Sequence, residues 1–189
     1  MSAVILFFLA FLIYGRTIDY PFVRFDDGLL IYDNPAIRGM TLNTLKTIFS
    51  TYDPELYIPL TLLSYQFDFL IGGIHPAVYH LQNIFWHAMN GIFVTWLLYW
   101  LFLARDQSQI INRKLQIVSM TLGALFVVHP LSVEAVAWAS ARKDLLSGLF
   151  FLFSLCTYLQ WRKCVTLRCE PSEPRRATWC HGSWLGRGL

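Results

Sequence analysis

Charge is scarce in this chain. Only 14% of its residues are charged, against roughly 25% in soluble domains. A basic excess is missing too: the formal net charge is +3, which lacks the electrostatic footprint of a nucleic-acid binder. Cysteine is confined to the last quarter, at Cys156, Cys164, Cys169 and Cys180. That leaves no disulfide framework for the body of the molecule. No internal repeat is visible. What is abundant is apolar surface. The chain is 56% hydrophobic and 16% aromatic, and these residues cluster in long runs, which places it in the membrane class.

The runs predict an all-α polytopic membrane protein with about four transmembrane helices. Residues 2–14 (SAVILFFLAFLIY) are uncharged but fall short of the roughly 20 residues that a spanning helix needs. No basic stretch precedes them and no small-residue cleavage site follows. They read as a first span, about 2–15, clipped by a late start codon. Residues 80–104, 115–131 and 145–161 supply the other three. The long first loop, 16–79, is polar and rich in turn formers up to residue 55. Its segment 56–71 is apolar but broken by Pro59 and Asp68, which suits an interfacial helix. From Arg162 the chain turns basic and aperiodic, and 162–189 reads as a disordered tail.

Charge asymmetry orients the spans. The 105–114 loop has three basic residues and one acidic, the tail six and two, and the 16–80 stretch four basic and seven acidic. Basic residues favour the cytoplasm, so the first loop and the 129–144 connector share the outer or lumenal side. A five-span topology counting 56–71 as a span would break this agreement.

Three constellations carry candidate chemistry. The first is the acidic pair Asp26 and Asp27, after Arg24-Phe25. Two adjacent carboxylates repel, and one of them can serve as a general base on a hydroxyl. From the residues alone, solvated acids or a helix cap remain the plainer reading. The second is a polar stripe, His80, Asn83, His87 and Asn90, spaced for one face of a helix. Polar groups in a span face a bundle interior or a cavity. His80, near the outer end, leans to function, and His87 and Asn90 to packing. The third is His129-Pro130, Glu134, Trp138 and Arg142-Lys143-Asp144. In a continuous helix Glu134, Trp138 and Ala141 would share a face, flanked by Arg142 and Asp144. Arg142 and Lys143 suit a phosphate, and interfacial snorkelling explains them equally well. Cys164, Cys169, Cys180 and His181 match no zinc spacing and read as free groups.

The strings FVRFDDGLLIYDNPAI (22–37), YIPLTLLSYQFDFLIGGIHPAVYHLQNIFWHAMN (57–90) and LFVVHPLSVEAVAWASARKDLLSGLFFLFSL (125–155) resemble the membrane half of the transmembrane-and-tetratricopeptide-repeat O-mannosyltransferases and their prokaryotic relatives. The resemblance covers about residues 5–160 and implies the N-terminal part of a C-type glycosyltransferase fold. It implies a lipid-phosphate-linked sugar, on a polyprenyl or dolichyl carrier, as co-substrate, with mannose as the sugar. It implies a Ser/Thr hydroxyl of an acceptor protein as target and no other cofactor. The membrane would be the endoplasmic reticulum in a eukaryote or the plasma membrane in a prokaryote.

The family's catalytic acidic pair maps onto Asp26 and Asp27. Asp26 would take the hydroxyl proton, and Asp27 would position the hydroxyl or a neighbouring donor. The remaining matched positions are His80, Asn83, Glu134, Arg142, Lys143 and Asp144, as substrate-binding residues. Among them Arg142 would meet the phosphate, with Glu134 and Asp144 orienting the basic pair. No metal ligand set is visible. The family usually has a Trp or another aromatic directly before the pair, where Phe25 stands, and often an Arg where Ile58 precedes Pro59; the tail, 162–189, matches nothing there, as a truncated or frameshifted end would. The readings from other classes are a non-enzymatic membrane scaffold and a lipid-linked sugar flippase or transporter.

Overall fold

The structure is a computed structural model and describes residues 2–50, 56–105 and 109–168. The expectations for Cys169, Cys180, His181 and the tail beyond Arg168 lie outside the described residues. The chain is helical, and no strand occurs among the described residues. Helix α1 spans Ser2–Tyr14, α2 Leu42–Ser50, α3 Pro59–Gly72, α4 Pro76–Arg105, α5 Gln109–Val128, α6 Val133–Ala137 and α7 Arg142–Arg168.

Prolines set several of the starts. Pro59 and Pro76 stand at the first positions of α3 and α4, where a missing N–H costs nothing and the fixed φ suits a helix. Gly73, at φ +61, closes α3 with its N–H on the Phe69 carbonyl at 2.8 Å. Pro130 ends α5: His129 before it is extended, as a residue before proline prefers. The His129 ring accepts from the Leu131 N–H at 3.2 Å. The chain then bends by 50° into Pro130–Ala137.

Two differences from the sequence expectations concern elements. The stretch 16–55, read only as polar and rich in turn formers, holds a helix, α2, between Gly39 and the undescribed 51–55, with Ile48 buried. α7 continues to Arg168, into the stretch expected to be disordered.

α4 is the axis of the molecule, with α1, α5 and α7 packed along it. α1 carries no charge anywhere. It buries Leu6, Ala10 and Tyr14 against α4 and α5 and leaves Val4, Phe8 and Leu12 exposed, as a helix in hydrocarbon does. α4 and α5 approach closely at Gly91 and Gly123. A Cβ on Gly123 would run into Thr95 Oγ1, and one on Gly91 into a Val127 methyl. Small residues permit such crossings in membranes.

Two helical stretches are long and apolar enough to cross a bilayer, Pro76–Leu103 and Ala139–Arg162. The bent pair Arg113–Val128 and Pro130–Ala137 makes a third if it is one span. At 13 residues, α1 reaches only about 20 Å, against a hydrocarbon core of about 30 Å. The chain is an integral membrane protein with two or three such stretches.

Candidate functional site

The stripe on α4 is buried along its whole length: His80, Asn83, His87 and Asn90 are all interior. Each of the lower three meets a neighbouring backbone carbonyl. Asn83 Nδ2 donates to the Trp138 carbonyl at 2.9 Å. A His87 ring nitrogen lies 3.0 Å from the Val127 carbonyl. Asn90 Nδ2 donates to the Leu145 carbonyl at 2.9 Å. Val127 belongs to the last turn of α5, whose carbonyls have no helical donor, and Tyr14 also donates to it. His87 and Asn90 are thus packing groups.

At the upper end of α4 the chain does something different. The connector after Pro130 is not one helix. α6 ends at Trp138, which is extended at ψ 123, and a short 3-10 turn, Ala139–Ala141, leads into α7. The shared face expected for Glu134, Trp138 and Ala141 therefore does not exist. A broken segment exposes its backbone groups, and buried ones must be paired. Three elements do this. Asn83 takes the Trp138 carbonyl. The Tyr65 hydroxyl of α3 donates to the Ala139 carbonyl at 3.1 Å. The Ser140 N–H donates to Asp27 Oδ1 at 3.0 Å. First loop and connector therefore meet at the same end of the bundle.

Asp27 is fully buried, and its second oxygen accepts from the Val23 N–H at 2.8 Å. That contact closes residues 23–27 into a loop, tightened by the Phe25 N–H on the Val23 carbonyl at 2.8 Å. Asp26, next in chain, is half-buried and has no hydrogen bond or ion pair among the described residues. The pair is asymmetric: one carboxylate holds backbone, and the other has no partner among the described residues. Beside it, the exposed Phe25 ring lies 6.1 Å from the Trp138 ring, centroid to centroid.

Arg142 is wholly buried. Its Nε donates to Asn83 Oδ1 at 2.8 Å, Nη1 to Ser64 Oγ at 3.1 Å and Nη2 to the Tyr79 carbonyl at 2.9 Å. Nη2 also lies 2.6 Å from Asp68 Oδ2. The guanidinium stacks 4.6 Å from the Tyr65 ring centroid, a favourable cation–π placement. This corrects the expectation that Arg142 faces a phosphate with Glu134 and Asp144 orienting it. Its partner is Asp68, and both Glu134 and Asp144 are exposed. Lys143, in the first turn of α7, is half-buried and has no ion-pair partner among the described residues.

Of the residues chosen from sequence, Asp27, His80, Asn83 and Arg142 come together in one buried cluster, with His80 in electrostatic reach of Asp27 and Arg142. Ser64, Tyr65, Asp68 and Ser140 join them and were not chosen. A lone carboxylate in an apolar run was the signal for Asp68. Nothing in sequence marks Tyr65 or Ser140. Burial pushes the Asp68 carboxyl up to about 6, against the pull of Arg142. Burial likewise pushes the Tyr65 phenol up, so it acts as a neutral donor. Among the described residues no group of three His, Cys, Asp or Glu side chains is placed to hold a metal.

Known proteins match this chain by sequence. Protein O-mannosyl-transferase TMTC3 of Homo sapiens is 31% identical over 144 residues, 71% of this chain and 14% of its own length. Protein O-mannosyl-transferase TMTC2 of Homo sapiens is 34% identical over 140 residues, 70% of this chain and 14% of its own. Protein O-mannosyl-transferase TMTC4 of Homo sapiens is 32% identical over 161 residues, 79% and 22%. The chain thus spans less than a quarter of these relatives. No protein-family model and no solved structure matches it. The resemblance carried by the strings within 22–155 and these likenesses agree, and the chain belongs to the TMTC family.

Proposed function

We propose that the protein carrying this segment is a glycosyltransferase. It moves a sugar, mannose by the names of its relatives, from a polyprenyl- or dolichyl-phosphate donor to a Ser or Thr hydroxyl of an acceptor protein. The observation that carries this reading is the asymmetric acid pair. A general base needs an available lone pair within reach of the proton it takes. Asp26 has one, and Asp27, with both oxygens on backbone N–H groups, fixes the loop that presents it. Asp27 is on this reading a positioning residue.

The chemistry follows. The acceptor oxygen attacks the anomeric carbon while its proton passes to the Asp26 carboxylate. The bond from that carbon to the phosphate oxygen breaks, and the lipid phosphate leaves with its electron pair, with inversion at the sugar. Negative charge grows on the leaving phosphate, where a fixed cation stabilises it. Lys143, one turn beyond Ser140, is a cation of this segment suited to that task, with Arg142 engaged inside. Glu134 and Asp144 stand exposed on the same connector, where polar groups of donor or acceptor would reach them. His80 and Asn83 act from below, through the buried cluster.

The proposed topology has four spans, with α1 as the first and α3 at the interface, and with the site on the outer or lumenal face. The transporter reading is less well supported, since His87 and Asn90 are bound to backbone carbonyls instead of lining a path.

The test is transfer of labelled mannose from a synthetic polyprenyl-phosphate donor to a Ser/Thr peptide by the full-length protein. Asp26→Asn should abolish transfer with membrane insertion intact, because an amide has no basic lone pair for the proton. Undiminished transfer by the variant would remove Asp26 as the base.

A further inference from the structure

We propose that Asp68 and Arg142 form a buried clasp that positions the acidic pair, a role that rests on the reading of Asp26 as the base. The contacts make a continuous chain. Asp68, Ser64 and Tyr65 of α3, with Asn83 and the Tyr79 carbonyl of α4, hold Arg142. Asn83 and Tyr65 also hold the carbonyls of Trp138 and Ala139. The next residue, Ser140, holds Asp27, and Asp27 closes the loop from Val23 on which Asp26 stands. Every backbone residue from Trp138 to Ser140 is therefore gripped from α3, α4 or the first loop.

Stability does not account for this pair. Two charges taken wholly out of water lose hydration that their attraction often fails to repay, and well-packed apolar replacements are often neutral or stabilising. Here the account is worse than average, because Asp68 Oδ1 has no hydrogen-bond partner among the described residues. What an apolar pair lacks is direction. The planar guanidinium fork reaches Asn83, Ser64, Tyr79 and Asp68 at fixed angles and so sets the start of α7 relative to α3 and α4. A misplacement of about 1 Å in a reacting group can cost about 100-fold in rate. Thus the clasp acts through Ser140 and Asp27 and touches no substrate.

The experiment replaces the pair by apolar residues, Asp68→Leu with Arg142→Met, in the full-length protein with Ser140→Cys as reporter. Ser140 is buried, and its contact to Asp27 is through backbone, so the cysteine preserves it. We expect labelling of Cys by an impermeant maleimide to rise at least 10-fold over the reporter alone. The thermal midpoint should stay within a few degrees. Transfer should lose at least 10-fold in kcat with the acceptor KM little changed. Unchanged labelling overturns the clasp. Faster labelling with unchanged kcat also overturns it, as the pair would then shape the fold alone. If the double variant fails to insert, Arg142→Lys, which keeps the charge without the fork, carries the same readouts. The Asp26→Asn assay separates the two ideas. Full transfer there sinks the base, while the labelling result stands on its own.

Discussion

At the scale of single residues, the question is which charges the interior tolerates. Asp68 makes a prediction with a definite sign. Burial pushes its carboxyl up from the ordinary 3.8 to about 6 in the folded state, so within that window the folded state holds the extra proton. Raising the pH through the window removes it, and stability falls. Thermal unfolding in detergent, compared between wild type and Asp68→Asn, should show the variant gaining on wild type as pH rises from about 4 to about 6. The opposite trend would mean that the pull of Arg142 exceeds the cost of burial. Sequence made half of this visible. Asn83 stands out as a polar group in an apolar run, Asp26 and Asp27 as adjacent carboxylates, and Arg142 as the start of a short charged cluster. That Arg142 turns inward to Asp68, 74 positions earlier in the chain, is a tertiary fact. Charge rules say that a buried cation needs a partner but not which one. The family resemblance implied Glu134 and Asp144, and both stand at the surface.

At the scale of elements, several breaks fall at prolines, including Pro130, which the span expected over 115–131 had run through. Pro59, Pro76 and Pro130 mark helix starts or ends as their missing N–H requires. The break at Trp138 has no such marker. Val, Ala, Trp and Ser all enter helices, and the extended Trp138 is held by Asn83 from a different helix. α2 was hidden for the converse reason, being a short helix among turn formers. The crossing of α4 and α5 supplies the second prediction. Gly123→Ala puts a methyl against Thr95 Oγ1 and close to the Gly91 carbonyl, so Thr95 must turn and the helices must give slightly. Overpacking of this kind costs about 1–3 kcal/mol, measurable as a lower thermal midpoint. Gly148→Ala is the control, since its Cβ meets Asn90 Nδ2 at an ordinary 3.5 Å and should be tolerated. Equal behaviour of the two variants would contradict the close approach.

At the scale of the whole molecule, the site exists because the first loop and the connector emerge together. An impermeant thiol reagent applied to sealed, correctly oriented vesicles should label Arg24→Cys and Glu134→Cys alike, both positions being exposed. Labelling from opposite sides would separate Asp27 from Ser140 and dissolve the site. The charge asymmetry of the loops already carried this pairing in the sequence, whereas the count of spans did not follow, because α1 is short and α5 bends into α6. The bond between Asp27 and Ser140 joins residues 113 positions apart. Ribosomes add roughly 5–20 residues per second, so the acidic loop is made several seconds before the amide that will hold it. During that interval α4 and α5 are made, and the chain must come back to the end of the bundle where the loop waits. The site is completed late in the synthesis of this segment: the local bond from Val23 can close the acidic loop early, but the amide of Ser140 that anchors it to the connector comes last.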